Sequence, residues 1–213
     1  MTVPFFEGLD PLDKASIDKA FEGLQIAPIA CCDWPDEFPY APGAGFRMLH
    51  NSQYLFIRDD VEEECIAALA SRDNEEVYPD SCAEFFFQPE GEDKYYNLEA
   101  SCIGTLYYAR RSGRLDPEHS DSARLKGGIR YPSRGREPFA ERKGGFSWNL
   151  TLAVPVSCLW RSDIKSWKGL RGRFNVYKCG DNLSTPHYLS YAPVRTARPD
   201  FHRPEYFTDI NFE

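Results

Sequence analysis

The stretch "VYPDSCAEFFFQP", residues 77–89, decides the fold class. Its centre, from Cys82 to Gln88, is apolar and aromatic and has a proline on either side, which is typical of a strand buried in a β-sheet. An acid, Glu84, stands directly before three phenylalanines of this predicted strand. A carboxylate is seldom buried without a partner or a task. The stretch therefore predicts a β-rich core and marks Glu84 as a candidate binding residue.

Strand patterns dominate the rest of the chain. One helix is predicted near residues 10–23, with Asp10 as its N-cap and Pro11 at its first helical position. About ten strands without alternating helices favour a sandwich or a barrel over a parallel α/β sheet. We predict strands at 26–32, 45–50, 53–61, 65–70, 82–88, 95–110, 145–156, 170–179, 186–192 and 208–212.

The segment 111–144 differs from its surroundings, because it is basic, rich in glycine and serine, and poor in apolar periodicity. We expect a long surface loop there, and a solvated loop is a better interpretation than an anion site. The chain shows no internal repeat and no linker. Residues 1–213 are therefore expected to form a single domain.

Charge and hydropathy argue against two classes of partner. The chain has 213 residues, a formal net charge of −8 and a pI near 5.1. Such a surface repels the phosphates of nucleic acids. No stretch approaches the ~20 apolar residues that a membrane-spanning helix needs. We therefore expect neither nucleic acid nor a membrane as a partner.

The seven cysteines contain no CxxC pair and no cysteine–histidine spacing typical of zinc. Their number is odd, and several fall in apolar strand segments, where a free thiol behaves as a small hydrophobe. The N-terminal segment "MTVPFFEGLDPLDK" lacks the basic and apolar regions of a signal peptide. We therefore expect free thiols and a cytoplasmic location.

Alternation along two neighbouring strands brings polar side chains together. In "YNLEASC", Asn97 and Glu99 share one face, because successive strand side chains point to opposite sides. The polar loop 88–94 predicts a hairpin that places Glu84 near Glu99. Alternation alone favours a solvated outer face. The apolar neighbours of Glu84 shift the interpretation toward a polar surface with aromatic residues, which suits a ligand rich in hydroxyl groups.

Several segments, in this order, resemble the family 9 carbohydrate-binding modules. The resemblance is closest to the small stand-alone proteins of bacteria related to Bacteroides, and it runs from about Pro28 to Glu213. It implies a β-sandwich of two antiparallel sheets that binds a saccharide without catalysis, in a slot between two aromatic side chains. The segments that carry it are "DSCAEFFFQP" (80–89), "YYNLEASCIG" (95–104), "LRGRFNVYKCG" (170–180) and "FHRPEYFTDINF" (201–212).

By this resemblance, the aromatic walls of the slot fall on Tyr78 and on Phe201 or the neighbouring Tyr206. The best-known members carry two tryptophans there, so the walls of this chain differ in chemistry. Tyrosine still stacks on a sugar ring, whereas phenylalanine lacks a polar edge. Trp34, in a proline-rich segment, is a spare candidate for an exposed aromatic residue.

The resemblance also assigns polar positions. The hydrogen-bonding acid falls on Glu84, and a further polar position falls on Tyr177. Glu99 stands where sugar-binding members carry an arginine, which reverses a charge in the slot. Asn97, on the face of Glu99, and His202, beside Phe201, complete the set of candidate ligand-binding residues.

Two other functions remain open. Glu84, Glu99 and His202 could serve a carbohydrate-active hydrolase or a metal-dependent enzyme. A sandwich can also use the same surface as a protein-interaction module. The chain has no HExxH spacing and no nucleophile elbow, so we expect no enzyme and no catalytic residue. Related modules often hold calcium, but the acidic run 59–64 is best interpreted as a solvated face, and we expect no metal or cofactor.

Overall fold

Two β-sheets packed face to face make up the molecule. The computed structural model describes residues 1–121 and 127–213. Side chains from the inner faces of both sheets form the main hydrophobic core, and Phe85 and Phe87 of the stretch around Glu84 lie within it. The predicted antiparallel β-sandwich with one helix is therefore confirmed.

Fourteen strands and one α-helix form the regular structure of the described residues, together with short 3-10 turns at Val156–Cys158 and Pro204–Tyr206. The helix α1 spans Lys14–Glu22. The strands in chain order are β1 (Thr2–Val3), β2 (Ala27–Pro28), β3 (Cys31–Cys32), β4 (Gly43–His50), β5 (Tyr54–Ala68), β6 (Cys82–Pro89), β7 (Tyr95–Ser101), β8 (Leu106–Arg111), β9 (Glu118–His119), β10 (Ile129–Pro132), β11 (Phe139–Pro155), β12 (Arg171–Cys179), β13 (Tyr188–Ser190) and β14 (Thr208–Phe212).

The larger sheet has nine strands, and its outer face carries the candidate site. The strand order is β1-β14-β12-β6-β7-β8-β9. In addition, β13 pairs with the end of β12 on one side and with β3 on the other. All of these pairings are antiparallel except the two-residue contact of β1 with β14. Strands from both ends of the chain thus form one edge of the sheet.

The smaller sheet has five strands in the order β10-β11-β5-β4-β2. The sequence predicts separate strands at 53–61 and 65–70, but β5 runs unbroken through the acidic residues between them. Glu62 and Glu64 are exposed, whereas Glu63 between them points into the sandwich and is buried. Because faces alternate, a strand can pass through an acidic run without placing every acid in solvent.

The predicted strand 95–110 is in fact two strands joined by a turn. The turn reverses the chain between Ser101 and Thr105, and it includes Gly104 in the left-handed region with φ 81°. The Gly104 amide donates a 2.8 Å hydrogen bond to the Ser101 carbonyl. Glycine adopts this backbone conformation without the strain that a Cβ would bring. As a result, β8 folds back beside β7 and places Tyr107 directly opposite Glu99.

The helix begins later than predicted. Asp13, not Asp10, is the N-cap, and its carboxylate accepts a 3.2 Å hydrogen bond from the Ser16 amide. Asp10 instead closes the preceding turn, because its carbonyl accepts the Asp13 amide at 3.1 Å. Ile17 and Phe21 are buried, and they pack on the outer face of the smaller sheet. No helix in the described ranges is long and apolar enough to cross a membrane.

The segment 111–144 contains more structure than a surface loop. It includes β9, β10 and the first part of β11, although most of its described side chains are at least partly exposed. Arg142 and Lys143 of this segment pair with β5 across an irregular register. The side chains of these strands face solvent, so the strands contain few apolar residues and the sequence pattern did not predict them. Residues 122–126 of the predicted loop lie outside the described residues.

A charged cluster crosses the interior between the two sheets. Lys178 on β12 places its Nζ 2.8 Å from Oε2 of Glu63 on β5, and both side chains are fully buried. The same Nζ donates to the carbonyl of Cys179 at 2.8 Å and lies 2.7 Å from Nε2 of His187. Trp148 Nε1 donates to the other Glu63 oxygen at 2.6 Å. Burial and the lysine lower the pKa of His187 to about 3, so His187 is neutral.

Candidate functional site

A cavity of about 660 Å³ opens on the outer face of the larger sheet. Its floor is formed by β6, β7 and the end of β12. Loop residues around 37–38, 76–78, 114–117 and 198–202 form its walls. These loops are far apart in the sequence, and the sheet beneath brings them together. The volume lies within the ~300–1,000 Å³ range of small-molecule sites.

Strand register builds the floor of the cavity. Glu84 on β6 lies directly opposite Glu99 on β7, with Tyr177 on the far side of Glu84 and Tyr107 on the far side of Glu99. All four side chains are at least nine-tenths buried. Two adjacent carboxyl groups between two tyrosines therefore form one polar row across the outer face of the sheet.

The two carboxyl groups affect each other's charge. Burial, and then the neighbouring charge of Glu99, raise the pKa of Glu84 well above its usual range. Burial raises the pKa of Glu99 to about 7, an increase that Arg111 and the Asn97 amide oppose. The thiol of Cys179 donates to Glu84 Oε1 at 3.0 Å. Because two buried like charges repel each other, the pair holds at least one proton near neutral pH.

Arg111 is connected to Glu99 through the side chain of Asn97. Its Nε donates to Asn97 Oδ1 at 2.9 Å, and the Asn97 amide donates to Glu99 Oε1 at 2.7 Å. Its Nη2 donates to the Tyr107 hydroxyl at 2.7 Å. We did not predict this arginine from the sequence. The signal was present, since Tyr107 and Arg111 share one face of β8 and the turn at Gly104 brings that face beside Glu99.

The first aromatic wall residue is held by the end of β12. The carbonyl of Tyr78 accepts the Asp181 amide at 3.1 Å, and the sulfur of Cys179 lies 3.5 Å from the same oxygen. The Tyr78 hydroxyl donates to Glu76 at 3.1 Å, and burial and that carboxylate raise its pKa to about 12. The ring is half-buried and lines the cavity. Tyr78 is therefore a positioned ring with one side available.

The C-terminal loop supplies the opposite wall. The ring of Phe201 stacks on Tyr177 at a centroid distance of 4.1 Å, and the Tyr177 hydroxyl donates to the Phe201 carbonyl at 3.1 Å. His202 stacks on Phe86 at 5.1 Å and hydrogen bonds to the Tyr95 hydroxyl through Nδ1 at 2.9 Å. Burial, then nearby arginines, lower the pKa of His202 to about 3, so this ring is neutral.

Five of the seven predicted site residues line the cavity. Asn97 and Tyr177 do not, because their side chains are fully buried below its surface. Asn97 links Arg111 to Glu99, and Tyr177 supports Phe201, so both position other residues rather than facing the cavity. The residues that line it are Tyr78, Glu84, Glu99, Phe201 and His202.

Two spare aromatic candidates are placed elsewhere. Trp34 is buried rather than exposed, because its Nε1 donates to the Thr196 carbonyl at 2.8 Å and its ring packs against Phe201 at 6.0 Å. The Tyr206 hydroxyl donates to the Arg195 carbonyl at 2.7 Å, and its side chain does not line the cavity. Trp34 therefore supports the wall from behind, and its prediction as a surface aromatic was wrong.

The acidic run 59–64 does not form a calcium cradle. Asp60 pairs with Arg47 at 2.6 Å, and Glu63 is committed to the interior lysine. Asp59 is buried, and burial raises its pKa to about 7. Calcium needs six or more oxygen ligands that converge on one point. These acids point to opposite faces of β5, and both Asp60 and Glu63 already have cationic partners, so the run does not fit the ion.

Comparison with known proteins identifies the family and the fold. The profile of carbohydrate-binding family 9 matches residues 14–212. A crystal structure of a candidate carbohydrate-binding protein from Bacteroides uniformis is 34% identical, with a TM-score of 0.95 over 100% of this chain and 98% of that one. No curated protein matches the chain.

Two more distant structures share the fold. Both are a family 9 carbohydrate-binding module from Caldicellulosiruptor kristjanssonii, one in complex with glucose and one with cellotriose. Each is 10% identical and covers 100% of this chain, and the shares of those chains covered are 95% and 94%. Their TM-scores are 0.55 and 0.54. Since the profile spans nearly the whole sequence, this chain belongs to carbohydrate-binding family 9.

Proposed function

We propose that the protein binds a small saccharide in the cavity above Glu84 and Glu99 and does not hydrolyse it. The observation that carries the proposal is the polar floor between aromatic walls. Hydroxyl groups of a sugar can hydrogen bond to the paired carboxyl groups, while its apolar faces stack on aromatic rings. The cavity volume suits one or a few sugar rings.

Each proposed contact has a distinct role. Glu84 and Glu99 bind ligand hydroxyls from below, and Arg111 orients Glu99 through the Asn97 amide. Tyr78 and the Phe201 edge form the side walls. His202 is neutral, so its ring offers a hydrogen-bonding nitrogen without a charge. Such an arrangement binds neutral ligands through many weak contacts.

A glycosidase is the weaker alternative. Two carboxyl groups that are direct cross-strand neighbours are close to each other, as a retaining enzyme requires. However, Glu84 and Glu99 project from the same sheet face, whereas the catalytic pair flanks the scissile bond. A retaining nucleophile must also be ionised, and the pKa of each carboxyl is raised. These points favour binding without hydrolysis.

A protein-interaction module is also disfavoured. The two carboxyl groups lie at the bottom of a cavity and are at least nine-tenths buried. The flat surface of a folded partner would not reach them. A ligand small enough to enter the cavity would. The recessed floor therefore supports a small ligand.

The test begins with a glycan panel and continues by calorimetric titration of the saccharide that binds best. Glu84→Ala removes the central hydrogen-bonding group and is expected to weaken binding about tenfold or more. Glu22→Ala, at an exposed position on α1, removes an acid far from the cavity and is expected to leave affinity unchanged. Analysis of the mixtures for shortened products reports any hydrolysis.

Tyr78→Ala tests the wall separately from the floor. Loss of the stacking ring is expected to weaken binding by a further ~1 kcal/mol or more, about fivefold or more in affinity, while the melting temperature changes little because the ring is only half-buried. If Glu84→Ala and Tyr78→Ala both bind the saccharide with unchanged affinity, the ligand binds outside this cavity. Release of shortened saccharides by the wild-type protein would instead support the enzyme alternative.

A further inference from the structure

Two thiols and a carboxyl group meet at one corner of the cavity floor. Cys82 on β6 lies directly opposite Cys179 on β12, and Glu84 follows two residues later on the same face of β6. The two sulfur atoms and one carboxylate oxygen all lie within 4.8 Å of one another. The closest pair is Cys179 Sγ and Glu84 Oε1, at 3.0 Å. Both thiols are free and buried.

This spacing is close to that around a tetrahedral zinc ion. With Zn–S bonds of ~2.3 Å and Zn–O bonds of ~2.0 Å, the ligand atoms lie ~3.5–3.8 Å from each other. The contact between Cys179 and Glu84 is already that short, and the other separations need to close by about 1 Å or less. Rotation of the Cys82 and Cys179 side chains can supply such a shift without moving the sheet.

Among the described residues, Glu84 has no cationic partner at this corner. In the part of the chain that the structure describes, no lysine, arginine or histidine forms an ion pair with Glu84, and its hydrogen-bond partner is a thiol. Asp181, two residues after Cys179, adds another carboxyl group to the cavity lining beside this corner. Buried carboxyl groups usually have a cationic partner or bind a metal. A divalent cation bound here would stabilise the ionised form of the Glu84 carboxyl group.

We propose that Cys82, Cys179 and Glu84 bind one zinc-class divalent ion at the floor of the cavity. Thiolate ligands select soft ions such as zinc over calcium and magnesium. The thiolate, and not the thiol, is the metal ligand, so both thiols lose their protons when the ion binds. Glu84 and Cys179 line the cavity, so the fourth coordination position faces its opening.

An ion at this position does not depend on the proposed saccharide function. The open fourth position can hold water, the Asp181 carboxyl group or a hydroxyl group of a ligand. The site requires only the register of β6 against β12. Metal binding and sugar binding can therefore be measured separately on the same protein.

Titration of the reduced protein with Co²⁺ tests the site directly, because thiolate-bound cobalt absorbs strongly and zinc displaces it. We expect one ion per chain with a thiolate–cobalt absorption band, and a higher melting temperature when Zn²⁺ is added. Cys179→Ser is expected to abolish the band. Glu84→Gln keeps the shape of the side chain and is expected to weaken the affinity for Co²⁺ at least tenfold.

Two matched variants complete the test. Cys32→Ser removes a half-buried thiol away from the cavity and should leave the band unchanged. Tyr78→Ala should weaken saccharide binding about fivefold or more and keep cobalt binding, which separates the two proposals. The site is refuted if wild-type protein gives no thiolate band, or if the band survives in folded Cys179→Ser or disappears in Cys32→Ser. If Cys179→Ser does not fold, an unchanged affinity for Co²⁺ in Glu84→Gln refutes the site.

Discussion

Replacing Glu63 with glutamine is expected to destabilise the sandwich strongly, although Glu63 lies outside the cavity. The substitution keeps the shape of the side chain and an oxygen that can accept the Trp148 Nε1 hydrogen bond. It removes the negative charge 2.8 Å from Lys178 Nζ, in a place where both side chains are fully buried. Lys178 would then keep the neutral His187 nitrogen, the Cys179 carbonyl and the face of the Trp148 ring at 5.9 Å, and none of these carries a negative charge.

The expected loss follows from the desolvation of a single charge. Removing one partner of a buried ion pair costs about 3–5 kcal/mol, because the remaining ion has lost its hydration without gaining a counter-charge. That is a large part of the ~5–15 kcal/mol that stabilises a typical domain. The Nζ–Oε2 contact lies outside hydrogen-bond geometry, so the interaction is mainly electrostatic and the charge itself matters. Adding Lys178→Met should recover most of the loss, since no uncompensated ion remains.

Urea denaturation, followed by tryptophan fluorescence, measures the free energy of unfolding of the two single variants and the double variant. Asp163→Asn, in the exposed pair with Lys165, is the control and is expected to change stability by less than ~0.5 kcal/mol. A loss below ~1 kcal/mol for Glu63→Gln would refute the reasoning, which rests on dry burial of the pair. If the losses of free energy of unfolding caused by Glu63→Gln and by Lys178→Met add up to the loss in the double variant, the two residues are not coupled as an ion pair.

Three further outcomes are expected. The pKa of Asp59 is about 7 in the folded chain, so the unfolded chain loses this proton at a lower pH than the folded chain, and the free energy of unfolding falls by about 2–3 kcal/mol between pH 5 and pH 8. Urea midpoints at both pH values should show a smaller fall in Asp59→Asn than in the wild type, and an equal fall would contradict this. Gly172→Ala puts a Cβ 2.3 Å from the Gln88 carbonyl oxygen and should lower the free energy of unfolding by at least ~1–3 kcal/mol in the same assay. The control Gly113→Ala meets nothing within 4 Å, and equal stabilities of the two variants would contradict the close approach at Gly172. A thiol titration of denatured, unreduced protein should count all seven cysteines, and a count of five would indicate a disulfide.

Local sequence patterns predicted most strands, because the two-residue period of a strand needs no knowledge of its neighbours. They failed where a turn or a face depended on the partner strand. The segment 95–110 has strand-like residues throughout, and only Gly104 marks the reversal that produces β7 and β8. The helix start moved from Asp10 to Asp13 because both acids suit an N-cap and the packing of Ile17 and Phe21 decides between them.

The candidate site also contains residues that local patterns predicted and residues that they did not. Alternation placed Glu84 and Glu99 on one face, and the hairpin loop between them made their proximity predictable. Residues from distant segments were not predictable by this route. Arg111 reaches Glu99 only through Asn97, and Cys179 meets Glu84 only because β12 pairs with β6. Register between strands far apart in the chain is set by the packing of the whole sheet.

The sequence by itself determined the β-rich class, the absence of a membrane-spanning stretch, the polar row that contains Glu84 and Glu99, and the resemblance to family 9. Only the tertiary structure decided that Tyr177 and Asn97 lie beneath the cavity, that Trp34 is buried, and that Lys178 meets Glu63 between the sheets. The physical reason is the distance along the chain over which each effect acts. Side-chain alternation acts over a few residues, whereas burial and charge pairing depend on segments that meet only when both sheets have formed.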